Sequence, residues 1–305
     1  MAISGKNLLS IAELSAEDIW HLLQRAAKSK QEDGDVLLKG KVLALLFEKP
    51  SLRTRVSFEV AMLQMGGNAI YLSPDEVGLG KREQIPDIAR TLSRYVDGIM
   101  ARTFSQQTLE LLAQYASVPV INGLSDKEHP CQALGDLLTI YEKKGKLEGL
   151  RLAFIGDGNN VAQSLVLAAS LVGMNFIIAS PPDYRLQDEI LHLARGFAKK
   201  SEADILLTSD PREAVQNADI VYTDVWTSMG QEAEADTRRL AFASYQVDAP
   251  LLSIAREDAL FMHPLPAHHG EEVAEGLLDH PQSVAFDQAE NRLHIQKAIL
   301  AELLG

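Results

Sequence analysis

Three things are scarce in this chain of 305 residues: cysteine, basic charge and long apolar runs. The single cysteine, Cys131, excludes an internal disulfide and a cysteine-built zinc centre; it fits a reducing interior, so the expected location is cytoplasmic. No stretch approaches the roughly 20 apolar residues that span a bilayer. Nor does the N-terminus show the basic region followed by an apolar one that marks a signal peptide. Lysine and arginine number 29 against 42 acidic residues, a formal net charge of -13 that repels a polyanion from most of the surface. Nucleic acid and anionic membrane are therefore poor partners. A small anionic ligand requires basic residues gathered locally against that global sign, so an arginine cluster carries extra weight.

With 46% hydrophobic side chains the chain can bury a large core, and its length favours two domains. Short apolar runs alternate with amphipathic stretches, the pattern of α/β proteins whose parallel strands are buried on both faces. Candidate strands are Val42 to Phe47, Ala69 to Leu72, Gly98 to Ala101 and Val118 to Asn122, then Leu152 to Ile155, Asn175 to Ala179, Ile205 to Thr208 and Ile220 to Tyr222. They form two groups of four, which predicts two domains, each a mostly parallel sheet flanked by helices and joined by interdomain helices. Ser15 and Asp18 make a capping box ahead of Ile19, Leu22, Leu23 and Ala26, and Ser51 opens a helix with apolar Val56, Val60 and Leu63 that Gly66-Gly67 stops. A helix from Cys131 to about Lys143, with the polar stretch Glu142 to Gly149, places the junction near residue 140. The domains are then 1–140 and 141–287, with a last amphipathic helix over 288–305 that could return to the first.

In Phe47-Glu48-Lys49-Pro50-Ser51-Leu52-Arg53-Thr54-Arg55 a strand ends, proline forces an extended residue, and a helix opens with two hydroxyls and two arginines in its first turn. Free N–H groups at a helix start and its dipole hold anions, and arginine adds bidentate charge-assisted hydrogen bonds. Cations in a first turn oppose the dipole, so a merely solvated helix start explains them badly and an anion site explains them well. Arg102 and His129-Pro130-Cys131-Gln132 also lie at or after strand ends, where open α/β sheets bind ligands. A lone arginine or histidine there is usually structural; three such groups at equivalent strand ends shift the balance towards a ligand.

Gly156-Asp157-Gly158-Asn159-Asn160 suggests a Rossmann turn, but Val161 stands where the dinucleotide fingerprint has its third glycine. Asp224-Val225-Trp226-Thr227-Ser228-Met229-Gly230 offers a carboxylate, a hydroxyl and a glycine hinge in one loop, which could close on a substrate amine. His263-Pro264-Leu265-Pro266-Ala267-His268-His269 holds three histidines without a cysteine or an obvious fourth ligand, so no metal is assigned to it.

Together and in this order these segments resemble the aspartate and ornithine carbamoyltransferase family, over essentially the whole chain. Ser-x-Arg-Thr-Arg, His-Pro-x-Gln and His-x-Leu-Pro are each selective. The resemblance implies transfer of the carbamoyl group of carbamoyl phosphate to an amine without a cofactor. It also implies that Ser51, Leu52, Arg53 and Thr54 hold the phosphate, that Arg102, His129 and Gln132 address the carbamoyl end, and that Arg292 adds a contact from the last helix. Arg53, Thr54, Arg102 and His129 would be catalytic. The Ser228-Met229-Gly230 loop is similar to that of the ornithine branch, whereas the aspartate branch has a basic loop. L-ornithine is then the implied acceptor, with Asn160, Asp224, Ser228 and Met229 at its α-amino and α-carboxyl groups and Pro264 and Leu265 at its side-chain end. Aspartate, putrescine and an acylated ornithine are the alternative acceptors; a nucleotide-dependent oxidoreductase is a further reading that lacks its glycine fingerprint. Two positions depart from the family pattern: Pro264 stands where ornithine enzymes usually have cysteine, and Gly78 where some members lend a glutamine to a neighbouring subunit. Family members are trimers or assemblies of trimers, which sets the expectation for this chain.

Overall fold

The structure, a computed structural model, describes residues 7–30, 36–79, 82–228 and 230–305. The chain divides into two compact units, one of Met1–Leu138 with Glu290–Gly305 and one of Thr139–Ala289. The division falls inside two helices, Pro130–Lys144 and Ala285–Leu304.

The first unit is built on β1 (Val42–Phe47), β2 (Asn68–Leu72), β3 (Gly98–Arg102) and β4 (Val120–Leu124), all parallel and ordered β2-β1-β3-β4. Strand β1 reads Val-Leu-Ala-Leu-Leu-Phe and is buried along nearly its whole length, as a strand covered on both faces must be. One face packs Ala44, Leu46, Ile99 and Ala101 against Ile88, Ala89, Leu109 and Leu112 from flanking helices. The helix Ala16–Ser29 opens with the expected capping box: Ser15 Oγ accepts from Asp18 N at 3.1 Å, and Ser15 N donates to the Asp18 carboxylate at 2.9 Å. Ile19, Leu22, Leu23 and Ala26 are its buried face.

The helix Leu52–Gln64 forms where expected but buries the opposite face. Phe58, Ala61 and Met62 face the core, while Val56 is 46% and Leu63 72% exposed. The sequence carries two apolar stripes at helical spacing, and periodicity alone could not choose between them.

The second unit has five parallel strands, β5 (Arg151–Ile155), β6 (Asn175–Ala179), β7 (Ile205–Thr208), β8 (Ile220–Thr223) and β9 (Leu260–Met262), ordered β7-β6-β5-β8-β9. Strand β9 is the one the sequence did not show, since three residues are too few for a pattern. Its core gathers Ala153, Ile155, Val221 and Phe261 with Trp226, Phe242 and Tyr245.

Both sheets reverse direction once. From β1 the chain moves outward to β2, then places β3 on the other side of β1; from β5 it moves to β6 and β7, then places β8 on the other side of β5. Such a switch point leaves a crevice beyond the carboxyl ends of the two strands, where open α/β sheets take their ligands. At the first, Phe47 pairs with Arg102; at the second, Ile155 pairs with Thr223. Among the described residues, no helix is long and apolar enough to cross a membrane.

Candidate active site

At the switch point of the first unit, Glu48 N donates to Arg102 O at 2.8 Å and ties the loop after β1 to the end of β3. Ser51 is extended (φ -160°) and caps the next helix, its hydroxyl accepting from Thr54 N at 3.3 Å. The first-turn N–H groups of Leu52 and Arg53 have no partner in the helix ladder, although the Leu52 side chain is itself exposed. Arg292, on the helix Ala285–Leu304, donates to Gln132 Oε1 at 2.6 Å and to Thr54 Oγ1 at 3.1 Å. Gln132 in turn donates to Asp136 at 2.8 Å, so Arg292, Thr54 and Gln132 are oriented as one network.

Arg102 is buried, its Nε has no hydrogen-bond partner, and its pKa falls to about 9 through burial, then Arg292, then Arg53. Arg53 is half-buried, and burial lowers it too. His129, just ahead of the helix Pro130–Lys144, lies well below its ordinary value because of burial first, then Arg292 and Arg102. It is a neutral imidazole at pH 7. Three guanidiniums beside one neutral histidine are thus concentrated in a protein of net charge -13, an arrangement that favours an anion.

The second arginine of the motif goes elsewhere. Arg55 Nε bonds Glu59 at 2.9 Å, and its guanidinium lies 3.8 Å over the ring of Tyr71. Gly78 takes φ +55°, where an added Cβ would sit 3.0 Å from Arg82 Cβ, so a glutamine there requires a different turn. Burial pushes the Cys131 thiol up to about 12, which leaves it chemically inert.

In the second unit the switch point is acidic. Asn159 caps the helix Asn160–Leu171, its Oδ1 accepting from Val161 N at 3.0 Å and Ala162 N at 3.1 Å. The Asn159 amide donates to Asp224 Oδ2 at 2.8 Å, and Asp224 Oδ1 accepts from Val225 N at 2.8 Å. Burial raises the Asp224 carboxyl, opposed by His263 and by the Asn159 hydrogen bond. Asn160, expected at the amino acid, is the first helical residue; the residue that orients Asp224 is its neighbour Asn159. Its signal was an asparagine directly before an apolar helical run.

His263 is fully buried after β9. Its Nδ1 accepts from Leu265 N at 2.9 Å, which leaves the hydrogen on Nε2, facing Glu272 Oε1 at 3.2 Å. Pro264 is buried, and Leu265 is half-buried with φ +56°. Ser228 N donates to Gln231 Oε1 at 3.0 Å; Met229 lies outside the described residues.

The turn after β5 is filled by the chain itself. A Cβ at Gly158 would lie 2.4 Å from the backbone of Arg185 and Leu186, so this close approach requires glycine. His268, Glu271 and Glu272 bring potential metal ligands within 4.8 Å of one another. Two of the three are engaged already: Glu272 accepts from His263 and, at 2.6 Å, from His268 N, while Glu271 accepts from Arg239 at 2.8 Å. The cluster serves as scaffold for the loop after β9.

Two family models match the chain, "Aspartate/ornithine carbamoyltransferase, carbamoyl-P binding domain" over residues 6–142 and "Aspartate/ornithine carbamoyltransferase, Asp/Orn binding domain" over residues 148–303. An ornithine carbamoyltransferase of Anoxybacillus flavithermus is 55% identical over 306 residues, 99% of this chain and 98% of the relative. An anabolic ornithine carbamoyltransferase of Pyrococcus furiosus is 50% identical over 309 residues, 100% of this chain and 98% of the relative. A solved structure of ornithine carbamoyltransferase from Pyrococcus furiosus superposes with a TM-score of 0.97 at 49% identity, over 100% of this chain and 99% of that one.

Proposed function

The chain belongs to the aspartate/ornithine carbamoyltransferase family, and from that premise we propose that it transfers the carbamoyl group of carbamoyl phosphate to the side-chain amine of L-ornithine, giving citrulline and phosphate. The observation that carries this reading is the cluster of Arg53, Arg102 and Arg292 around neutral His129, a cationic site built for a compact anion. We assign the phosphate to Ser51, Leu52, Arg53 and Thr54, the carbamoyl end to Arg102, His129 and Gln132, and a further carbamoyl phosphate contact to Arg292. The first unit is thereby the donor domain and the second the acceptor domain. At the second, buried Asp224 suits an ammonium and opposes the extra carboxylate of aspartate. Asn160, Asp224, Ser228 and Met229 take the α-amino and α-carboxyl groups in this assignment, and Pro264 and Leu265 the side-chain end.

The attacking amine must be neutral, although its solution pKa is roughly 10. Attack on the carbamoyl carbon builds negative charge on the carbonyl oxygen. Arg102, the neutral imidazole of His129 and the Thr54 hydroxyl are the preorganised donors for that charge. Arg53 and Arg292 stabilise the departing phosphate, and a phosphate oxygen takes the amine's proton. Orientation of the two substrates contributes most of the rest, up to roughly 7 to 11 kcal/mol in favourable systems.

Leu52, Val56 and Leu63, exposed at 73%, 46% and 72%, line one stripe of the helix Leu52–Gln64. This stripe supports a homotrimer, or an assembly of trimers, as the working form. The reduced, buried Cys131 supports a cytoplasmic location.

The deciding assay supplies carbamoyl phosphate with ornithine, aspartate, putrescine or an acylated ornithine in parallel. Citrulline as the dominant product is the expected result; preferential carbamoylation of another amine, or none, would overturn the assignment.

A further inference from the structure

Arg238 lies in the helix Ala235–Phe242 beside two exposed residues, Arg239 and Leu240, yet is only 5% exposed itself. Burying a guanidinium is costly unless its donors are used. Here they are: Nη1 donates to Asp157 Oδ2 at 2.8 Å and to the Trp226 carbonyl at 2.8 Å, and Nε approaches Glu234 at 3.3 Å. The guanidinium also sits 4.7 Å from the centroid of the Tyr184 ring. Phe242, four residues on and on the same helix face, stacks on Trp226 with centroids 5.9 Å apart.

These partners are not arbitrary. Asp157 belongs to the turn after β5 and Trp226 to the loop after β8, the two segments that flank the switch point of this unit. The same segments are tied a second time by Asn159 and Asp224 at 2.8 Å. Asp157 and Asn159 thus fasten the loop at two points, Trp226 and Asp224, with Ser228 two residues beyond.

We propose that Arg238 is a positioning residue for the amino-acid substrate: its one guanidinium sets the spacing between the turn after β5 and the loop after β8, and so the placement of Asp224 and Ser228. This rests on the reading that the second unit accepts ornithine. Arg238 itself does not touch the substrate. Nη1 serves both acceptors while Nε reaches Glu234, and the single nitrogen of a lysine cannot stand at both places.

The test uses the full-length protein and the variants Arg238→Lys, Arg238→Gln and Asp157→Asn. Steady-state citrulline formation is read beside calorimetric carbamoyl phosphate affinity and thermal unfolding. The ornithine KM rises at least about tenfold in all three, the loss of a charge-assisted contact, while kcat and carbamoyl phosphate affinity stay within about twofold. Combining Asp157→Asn with Arg238→Gln adds nothing to the worse single change, because both break one clamp. If Arg238→Gln does not fold, Asp157→Asn and Arg238→Lys decide. An unchanged ornithine KM overturns the inference, and so does a loss of kcat and carbamoyl phosphate affinity in step with KM. Failure of the unaltered chain to make citrulline would instead sink the substrate assignment, so the two failures are distinguishable.

Discussion

The two units share a plan and differ in charge. Each is a parallel sheet with one reversal of strand order, and each gathers its buried polar side chains at the strand ends beside that reversal. In the first these are Arg53, Arg102 and Arg292 with neutral His129; in the second they are Asp224 and Glu272 with His263, and Asp157 paired with Arg238. Topology supplies the place, and side chains decide what it holds. Burial acts in opposite senses, lowering Arg53 and Arg102 in the first unit and raising Asp157 and Asp224 in the second, so each site favours a ligand of the opposite sign.

Replacing Arg102 by methionine breaks the comparison hardest. It removes one donor to the developing oxyanion and should cut kcat/KM by about 10²–10³-fold. Because Arg102 sits among like charges with an unpartnered Nε, melting should show the variant at least as stable as the parent. Loss of stability together with activity would mean that the arginine holds the fold.

Asp224→Asn probes the acidic side. A hydrogen bond to a charged group contributes roughly 1.5–3 kcal/mol, so kcat/KM for ornithine should fall about 10- to 150-fold while carbamoyl phosphate affinity holds. An equal loss of carbamoyl phosphate affinity would dissolve the division of labour between the units.

Inorganic phosphate should stabilise the chain through the first unit alone. At 100 times its dissociation constant a ligand adds about 2.7 kcal/mol, seen as a rise of several degrees in the melting temperature. Arg53→Ala should reduce that rise and Asp224→Asn should leave it. A rise of the same size in Arg53→Ala would place the phosphate elsewhere.

The smallest effect is in the pH dependence. Burial pushes the Asp157 carboxyl up to about 6 against Arg238, with Asp224 and Glu234 adding to the rise. The folded protein therefore holds this proton more tightly than the unfolded chain: the stability it contributes is present below about 3.8 and lost as pH rises through about 6. Asp157→Asn cannot titrate, so its stability should fall less between pH 4 and 7. Identical stability profiles for parent and variant would remove Asp157 from this account.

Much of the fold could be read directly from the residues. Strand β1 begins and ends where its apolar run does, and the capping box of Ser15 and Asp18 marks a helix start without tertiary help. What failed had physical reasons. Strand β9 is three residues long; the helix Leu52–Gln64 has two apolar stripes, of which only one faces the core. At the sites, residues next to strand ends were visible, because strand, turn and helix start leave a local pattern. Arg55 looked like an anion ligand until Glu59 and Tyr71, one helical turn and one strand away, claimed it. Arg238 and Glu272 were invisible, since each stands beside an exposed or half-exposed residue of its own charge and only the fold buries it.

The central claim is that the cationic switch point of the first unit grips carbamoyl phosphate. Calorimetric titration of carbamoyl phosphate into the parent chain and into Arg53→Ala tests it most directly. The account predicts binding to the parent and none to the variant, with the same circular dichroism spectrum for both; unchanged affinity in a folded Arg53→Ala would contradict it.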